Sequence, residues 1–222
     1  MHAEGPITTP VRRGPGRPPK AEAGDTKTAL LRSALKLFAR HGYAGTSIRA
    51  IARDVGLSES VLYAHFAGKQ AIFDAAMALA GPNVTVVAIE TLDAELADRD
   101  PVSYIREFTA AVLAAWDTPE ARQLVSLGAR DGLMHDPVLS GGIDHALAHL
   151  ATVCRRWLDN GQVRADVGTA DDLAFSLLAP IAHARMLWMH ADASPEQREA
   201  ARGRATRHAA LFARTVVHTR PA

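Results

Sequence analysis

Between Ile48 and Phe66 the chain carries two short apolar stripes at helical spacing. The first is Ile48, Ile51, Ala52 and Val55, the second Val61, Leu62 and Phe66, and only Gly56, Leu57 and Ser58 stand between them. Two helices joined by three or four residues must cross steeply, and these residue types suit such a crossing. Ala52 is small enough to let the second helix approach, Gly56 supplies the positive φ of a tight turn, and Leu57 and Leu62 fill the angle between the helices. Thr46 or Ser47 can cap the first helix and Ser58 the second, through side-chain oxygens that accept from free amides of the first turn. The outer face of the second helix is left with Ser58, Glu59, Ser60, Tyr63, Ala64 and His65. Short polar side chains with one amphipathic aromatic fit a DNA major groove about 12 Å wide and reach base edges from the first helical turn.

Helical spacing continues on both sides of this unit, and sustained alternation of period two is not found, so the expected fold class is all-α. A first helix is expected over residues 26–40, with Leu31, Ala34, Leu35 and Phe38 as its stripe and Gly42 as its end. A fourth starts near Gly68, turns Ile72, Ala75, Ala76 and Leu79 inward and ends at Gly81-Pro82. Beyond it the pattern predicts helices over 83–97, 101–116, 119–134, 143–160, 170–190 and 195–218. Asp100-Pro101, Thr118-Pro119 and Ser194-Pro195 each set a capping side chain before a proline in the first helical turn, and Ser194 with Gln197 fits a capping box. The expected organisation is a flexible, basic, Pro/Gly-rich arm at 1–24, a three-helix helix-turn-helix head at 25–80 and a helical bundle at 81–222. The arm holds five of the twelve prolines and four of the sixteen glycines, which supports neither a helix nor a core.

Net charge is only +1, but its distribution is uneven. Residues 1–80 hold 11 Lys+Arg against 6 Asp+Glu, residues 81–222 hold 14 against 18, and all four lysines, Lys20, Lys27, Lys36 and Lys69, lie in the first part. A positive head on a mildly negative body suits a module that touches a polyanion at one end, and the small total argues against a DNA-compacting protein. The lone cysteine, Cys154, can form no internal disulfide, which fits a reducing compartment. No apolar run is read as approaching the ~18–20 residues of a membrane span, and the N-terminus lacks an apolar signal core, so no membrane is expected and the expected location is the cytoplasm. An enzyme is not expected, since no Gly-rich phosphate loop follows a strand. His145 and His149 stand one helical turn apart with only Asp144 beside them, so no metal or cofactor is assigned.

The stretch from Tyr43 to Asp74 resembles the TetR family of repressors, through Thr46, Ala52, Gly56, Leu62-Tyr63, His65-Phe66 and Lys69 in this order and spacing. The resemblance covers the head. Beyond residue 82 it is architectural, and the turn from Asn160 to Val167 identifies no ligand. It implies a sequence-specific transcriptional regulator, a repressor released from a palindromic double-stranded DNA operator by a small hydrophobic effector. On the matching positions it implies phosphate contacts from Thr46 or Ser47, the Tyr63 hydroxyl, His65 and Lys69, and base reading by Ser58, Glu59, Ser60 and Val61, with Arg49 near the groove wall. Tyr63 can alternatively be a half-buried core aromatic, and His65 can pack between helices. Glu59 can accept from a cytosine amino group, yet a carboxylate there repels phosphate. In the arm, Arg12-Arg13-Gly-Pro-Gly16-Arg17-Pro18-Pro-Lys20 resembles an AT-hook, which would lay Arg17 in a narrow A·T minor groove. Pro15 departs from that pattern, and the other reading is a basic tail with nonspecific attraction.

In the body, a sensor cavity would be mostly apolar with a few polar groups. Candidates are Tyr104, Phe108, Val112 and Trp116 on one helix and Leu124, Leu127, Arg130 and Met134 on the next, with His149, His183, His190 and Arg185 able to orient a ligand. A plain core would need the same stripes. A head this small reaches few base pairs, so a homodimer is expected, its last two helices completing a four-helix bundle through Leu173, Leu177, Ile181, Leu211 and Val216. The helix over 68–80 runs without a flexible linker into the body and is expected to carry motion to the head.

Overall fold

The computed structural model describes residues 20–133 and 137–218. The expected arm, with Arg17, lies outside the described residues up to position 19, as does Met134. Four helices form the head: α1 (Lys20–Gly45), α2 (Ile48–Asp54), α3 (Glu59–His65) and α4 (Lys69–Ala80). Seven form the body: α5 (Pro82–Glu90), α6 (Ala94–Arg99), α7 (Pro101–Trp116), α8 (Pro119–Asp131), α9 (Pro137–Asp159), α10 (Ala170–Trp188) and α11 (Pro195–Val216). The fold is all-α. Among the described residues the β pairing is limited to a bridge between Val163 and Val217, which ties the turn after α9 to the end of α11.

The apolar stripes sort into two cores. Leu31, Ala34, Leu35 and Phe38 of α1 close over Ile51, Leu62 and Ile72 from α2, α3 and α4. Full burial of a side chain such as Phe38 is worth about 1.5–3 kcal/mol. Leu124 and Leu127 of α8 join this same core, so the body is packed directly onto the head. The second core brings together Tyr104, Phe108, Trp116, Leu150, Trp157 and Leu177 from α7, α9 and α10.

Several sequence expectations change. The non-helical arm does not reach Gly24, because α1 begins at Lys20. Pro19 is the last proline before Pro82, and Lys20-Ala-Glu-Ala that follows is strongly helix-forming. Helix 83–97 is two helices. Asp93 adopts an extended backbone and accepts the Glu95 amide at 2.9 Å, so it opens α6 rather than continuing α5. Helix α8 stops at Asp131 because Gly132 takes a left-handed φ of 70°, and α9 starts at Pro137, six residues earlier than expected. One stretch, Lys69–Glu90, is long and apolar enough to span a membrane by composition, with a mean hydropathy of 1.6, which corrects the reading that none approaches it. Gly81 breaks that stretch with an extended backbone, and Ile72, Ala76 and Ile89 on it are buried in the two cores.

Candidate nucleic-acid interface

The turn between α2 and α3 closes through the Gly56 amide on the Arg53 carbonyl at 3.1 Å and the Leu57 amide on the Ala52 carbonyl at 2.9 Å, with Gly56 at φ 71°. Ala52 and Leu62 are buried where the helices cross. Ser47 caps α2 by accepting the Ala50 amide at 3.1 Å. Asp54, at the other end of α2, accepts from Lys36 at 2.9 Å and Ser33 at 2.8 Å, fastening the helix to α1; the Lys36 and Ser33 hydrogen bonds hold its carboxyl below the usual range.

Outward from this frame stand Ser58, Glu59, Ser60 and Tyr63, all exposed, Tyr63 at 54%. Ser58 does not cap α3 with its hydroxyl, which lies 2.8 Å from that of Ser60. Glu59 faces Arg49 at 3.8 Å across the turn, so each partly neutralises the other on this exposed surface. Val61 and His65 are half-buried, His65 beside the Phe66 ring. At the start of α4 no side chain caps the helix, and its free amides lie beside Lys69. The Lys69 ammonium sits 4.3 Å from the centre of the Tyr43 ring, and the Tyr43 hydroxyl donates to Gln70 at 2.9 Å. The exposed side of α3 thus carries short hydrogen-bonding side chains, and a cation stands at the start of the next helix. Thr46 is a correction: it is buried, and its hydroxyl is spent on the Gly42 carbonyl at 2.9 Å, leaving Ser47 as the exposed hydroxyl of that pair. Tyr43 was not singled out from sequence, because its role depends on neighbours far along the chain.

The body candidates divide. Tyr104, Phe108, Val112 and Trp116 are buried together. Burial pushes the Tyr104 hydroxyl up to about 12, and it lies 2.6 Å from His149 Nε2. Burial also lowers His149, aided by His145 and Arg156, which favours the neutral imidazole, and its tautomer decides which of the two groups donates. The Trp116 indole donates to Thr85 at 2.9 Å, and the Arg185 guanidinium lies 4.6 Å from its ring centre. Leu127 and Arg130 belong elsewhere. Helix α8 lies against α1, so Leu127 enters the head core and Arg130 donates to the Ala39 carbonyl at 3.0 Å. His183 is exposed on the outer side of α10, edge-on to Trp188, and does not meet Tyr104 or His149. Of the expected dimer residues, Leu173, Leu177, Ile181 and Val216 are buried within their own chain, in the body core, whereas Leu211 is exposed.

Residues 30–76 match the family model described as bacterial regulatory proteins, tetR family. Over 109 residues the chain is 33% identical to the HTH-type transcriptional regulator AcrR of Shigella flexneri, covering 49% of this chain and 50% of AcrR. It thus spans about half the length of that relative. With the HTH-type transcriptional regulator RutR of Escherichia coli O157:H7 it shares 27% identity over 193 residues, 86% of this chain and 84% of RutR. A TetR transcriptional regulator from Chloroflexus aurantiacus has the same fold, with a TM-score of 0.65 at 21% identity over 90% of this chain and all of that one. These relatives are regulators, not enzymes. The head thus carries the DNA-binding domain of the bacterial tetR-family regulators, and the chain as a whole has the fold of a solved TetR transcriptional regulator.

Proposed function

We propose that this regulator is a cytoplasmic repressor that binds a palindromic operator as a homodimer and leaves it when a small hydrophobic effector occupies the body. The outward face of α3 carries this reading: Ser58, Ser60 and Tyr63 are exposed on a helix braced from behind by Leu62, with Lys69 at the start of the next helix. Serines that can rotate to donate or accept suit base edges, whereas Tyr63, Ser47 and Lys69 suit phosphates on either side. The Arg49–Glu59 pair reduces the repulsion an isolated carboxylate would meet at the groove. SmeT, described as the repressor of a multidrug efflux pump in Stenotrophomonas maltophilia, has the same fold, with a TM-score of 0.61 at 19% identity over 89% of this chain and 93% of that one. For the effector, the aromatic core around Tyr104 and Trp116 suits an apolar molecule, oriented by His149.

The division of labour is testable on a duplex selected from random DNA. Tyr63→Phe and Lys69→Ala should weaken binding to all sequences alike, and Lys69→Ala should also flatten the slope of log affinity against log salt by about one phosphate contact. Ser60→Ala should change preference at one or two positions in each half-site. Equal loss of sequence preference in all three variants would refute the assignment.

A further inference from the structure

Helix α1 is interrupted at Gly42, whose φ of 75° and ψ of 167° are not helical. In an unbroken helix the Tyr43 amide would donate to the Ala39 carbonyl, four residues back. Here both groups are taken by consecutive residues of α8. The Tyr43 amide donates to the Asp131 carboxylate at 2.7 Å, and the Ala39 carbonyl accepts from Arg130 Nε at 3.0 Å. One acceptor and one donor from the body therefore stand in for the missing helical hydrogen bond. A side chain inserted into the hydrogen-bond ladder is one of the few causes of a sharp helix kink. Glycine suits the position twice over: it takes the left-handed φ, and a Cβ there would lie 2.8 Å from Asp131 Oδ1.

The residue just past the break is Tyr43. Its ring carries the Lys69 ammonium, its hydroxyl donates to Gln70, and it packs edge-on against Phe73 at 4.9 Å, so it meets the first helical turn of α4 and the residue after it. We propose that Asp131, assisted by Arg130, is a positioning residue for DNA binding: by holding the Gly42–Tyr43 break open it sets Tyr43, and through Tyr43 it sets Lys69. This rests on the reading of Lys69 as a phosphate contact. It also gives the body a route to the DNA surface that bypasses Gly81, since any movement of α8 along α1 withdraws both substitute hydrogen bonds.

The experiment is a double-mutant cycle on the selected duplex, read over a range of salt concentrations. Asp131→Ala should lower affinity about tenfold and reduce the salt slope as Lys69→Ala does, and adding it to Lys69→Ala should cost little more. Asp131→Asn, which keeps an acceptor oxygen for the Tyr43 amide, should restore most of the affinity and the slope. If Asp131→Ala fails to fold, Tyr43→Leu enters the same cycle and should show the same coupling to Lys69. Losses that simply add, or an unchanged salt slope in Asp131→Ala and Tyr43→Leu, would overturn the positioning role while leaving Lys69 as a phosphate contact. A Lys69→Ala variant with unaltered affinity and slope would overturn the DNA-contact reading and this proposal with it.

Discussion

His149 meets Tyr104 at 2.6 Å inside the body, where the hydroxyl donates to a bare Nε2 or accepts from a protonated one. Burial, with His145 and Arg156 nearby, disfavours the imidazolium, so folded His149 takes up a proton at lower pH than its ordinary value of 6.5. The unfolded chain then binds more protons than the folded one as pH falls below 6.5, and stability drops until the folded value is reached. Urea unfolding at pH 7.5 and 5.5 should therefore show a loss on acidification that is smaller in His149→Gln; an equal loss in both proteins would remove His149 as its source. The sequence marked both Tyr104 and His149 but could not show that they satisfy one another. Thr46 illustrates the same limit. Its place before α2 was legible, but its burial depends on the Gly42 carbonyl behind it, so of two adjacent hydroxyls only Ser47 is left outside.

Helices α7, α8 and α11 are joined at Asp117, just beyond the end of α7. Its carboxylate accepts from Arg122 of α8 at 2.8 Å and from Arg198 of α11 at 3.1 Å, and Arg202 of α11 donates to its other oxygen. Burial pushes this carboxyl up, but hydrogen bonds from Arg198 and Arg122 outweigh it and hold it below the usual range. The group is thus ionised and fully stabilising at neutral pH, and its contribution is lost only as pH falls below the ordinary 3.8 through the folded value. Removing the carboxylate leaves three guanidinium groups close together, so Asp117→Ala should lower stability at pH 7 by about 2 kcal/mol, less than a fully buried broken pair because the group is only partly buried. Arg202→Ala should cost under about 1 kcal/mol, because Arg202 is over a third exposed and the other two arginines remain. Urea denaturation compares them, and equal costs would refute the cluster's hierarchy. The element boundaries themselves were legible where the signal is local, as at Thr118-Pro119 and Ser194-Pro195. The α5–α6 break was not, because Asp93 reads as one more polar position of an amphipathic helix until its backbone is seen. The contacts of Arg198 and Arg202 with Asp117 span 81 and 85 residues and have no sequence signature.

At the scale of the whole molecule, α10 and α11 present exposed apolar side chains. Of the seven large apolar side chains that stand exposed among the described residues, four lie on the last two helices: Phe175, Met186 and Leu187 on α10 and Leu211 on α11. Phe175, Ala179, Ala182 and Met186 fall on one side of α10, and Arg204, His208 and Leu211 on one side of α11, by helical spacing. Between the two helices lies a groove of about 600 Å³, lined by Ala179, Pro180, His183, Trp188, Arg204 and His208. Of the residues expected to pair two copies, Leu173, Leu177 and Ile181 are the ones α10 needs for its own core, which leaves Leu211 on the exposed side. Periodicity finds the buried stripe of a helix with ease; a second, exposed apolar stripe shows only once the first is accounted for. A two-fold pairing of α10 and α11 would cover Phe175 and Leu211 on both subunits, whereas a glutamate at 211 would set a charge, at the cost of its hydration, against that apolar contact. Leu211→Glu should therefore shift the protein from dimer to monomer at micromolar concentration, leave its helical content intact, and weaken binding to a palindromic duplex far more than binding to an isolated half-site. Sedimentation velocity beside duplex titration decides the matter: a Leu211→Glu protein that remains dimeric and binds the palindrome as before would place the interface on another face, and a wild-type monomer would remove the four-helix bundle altogether.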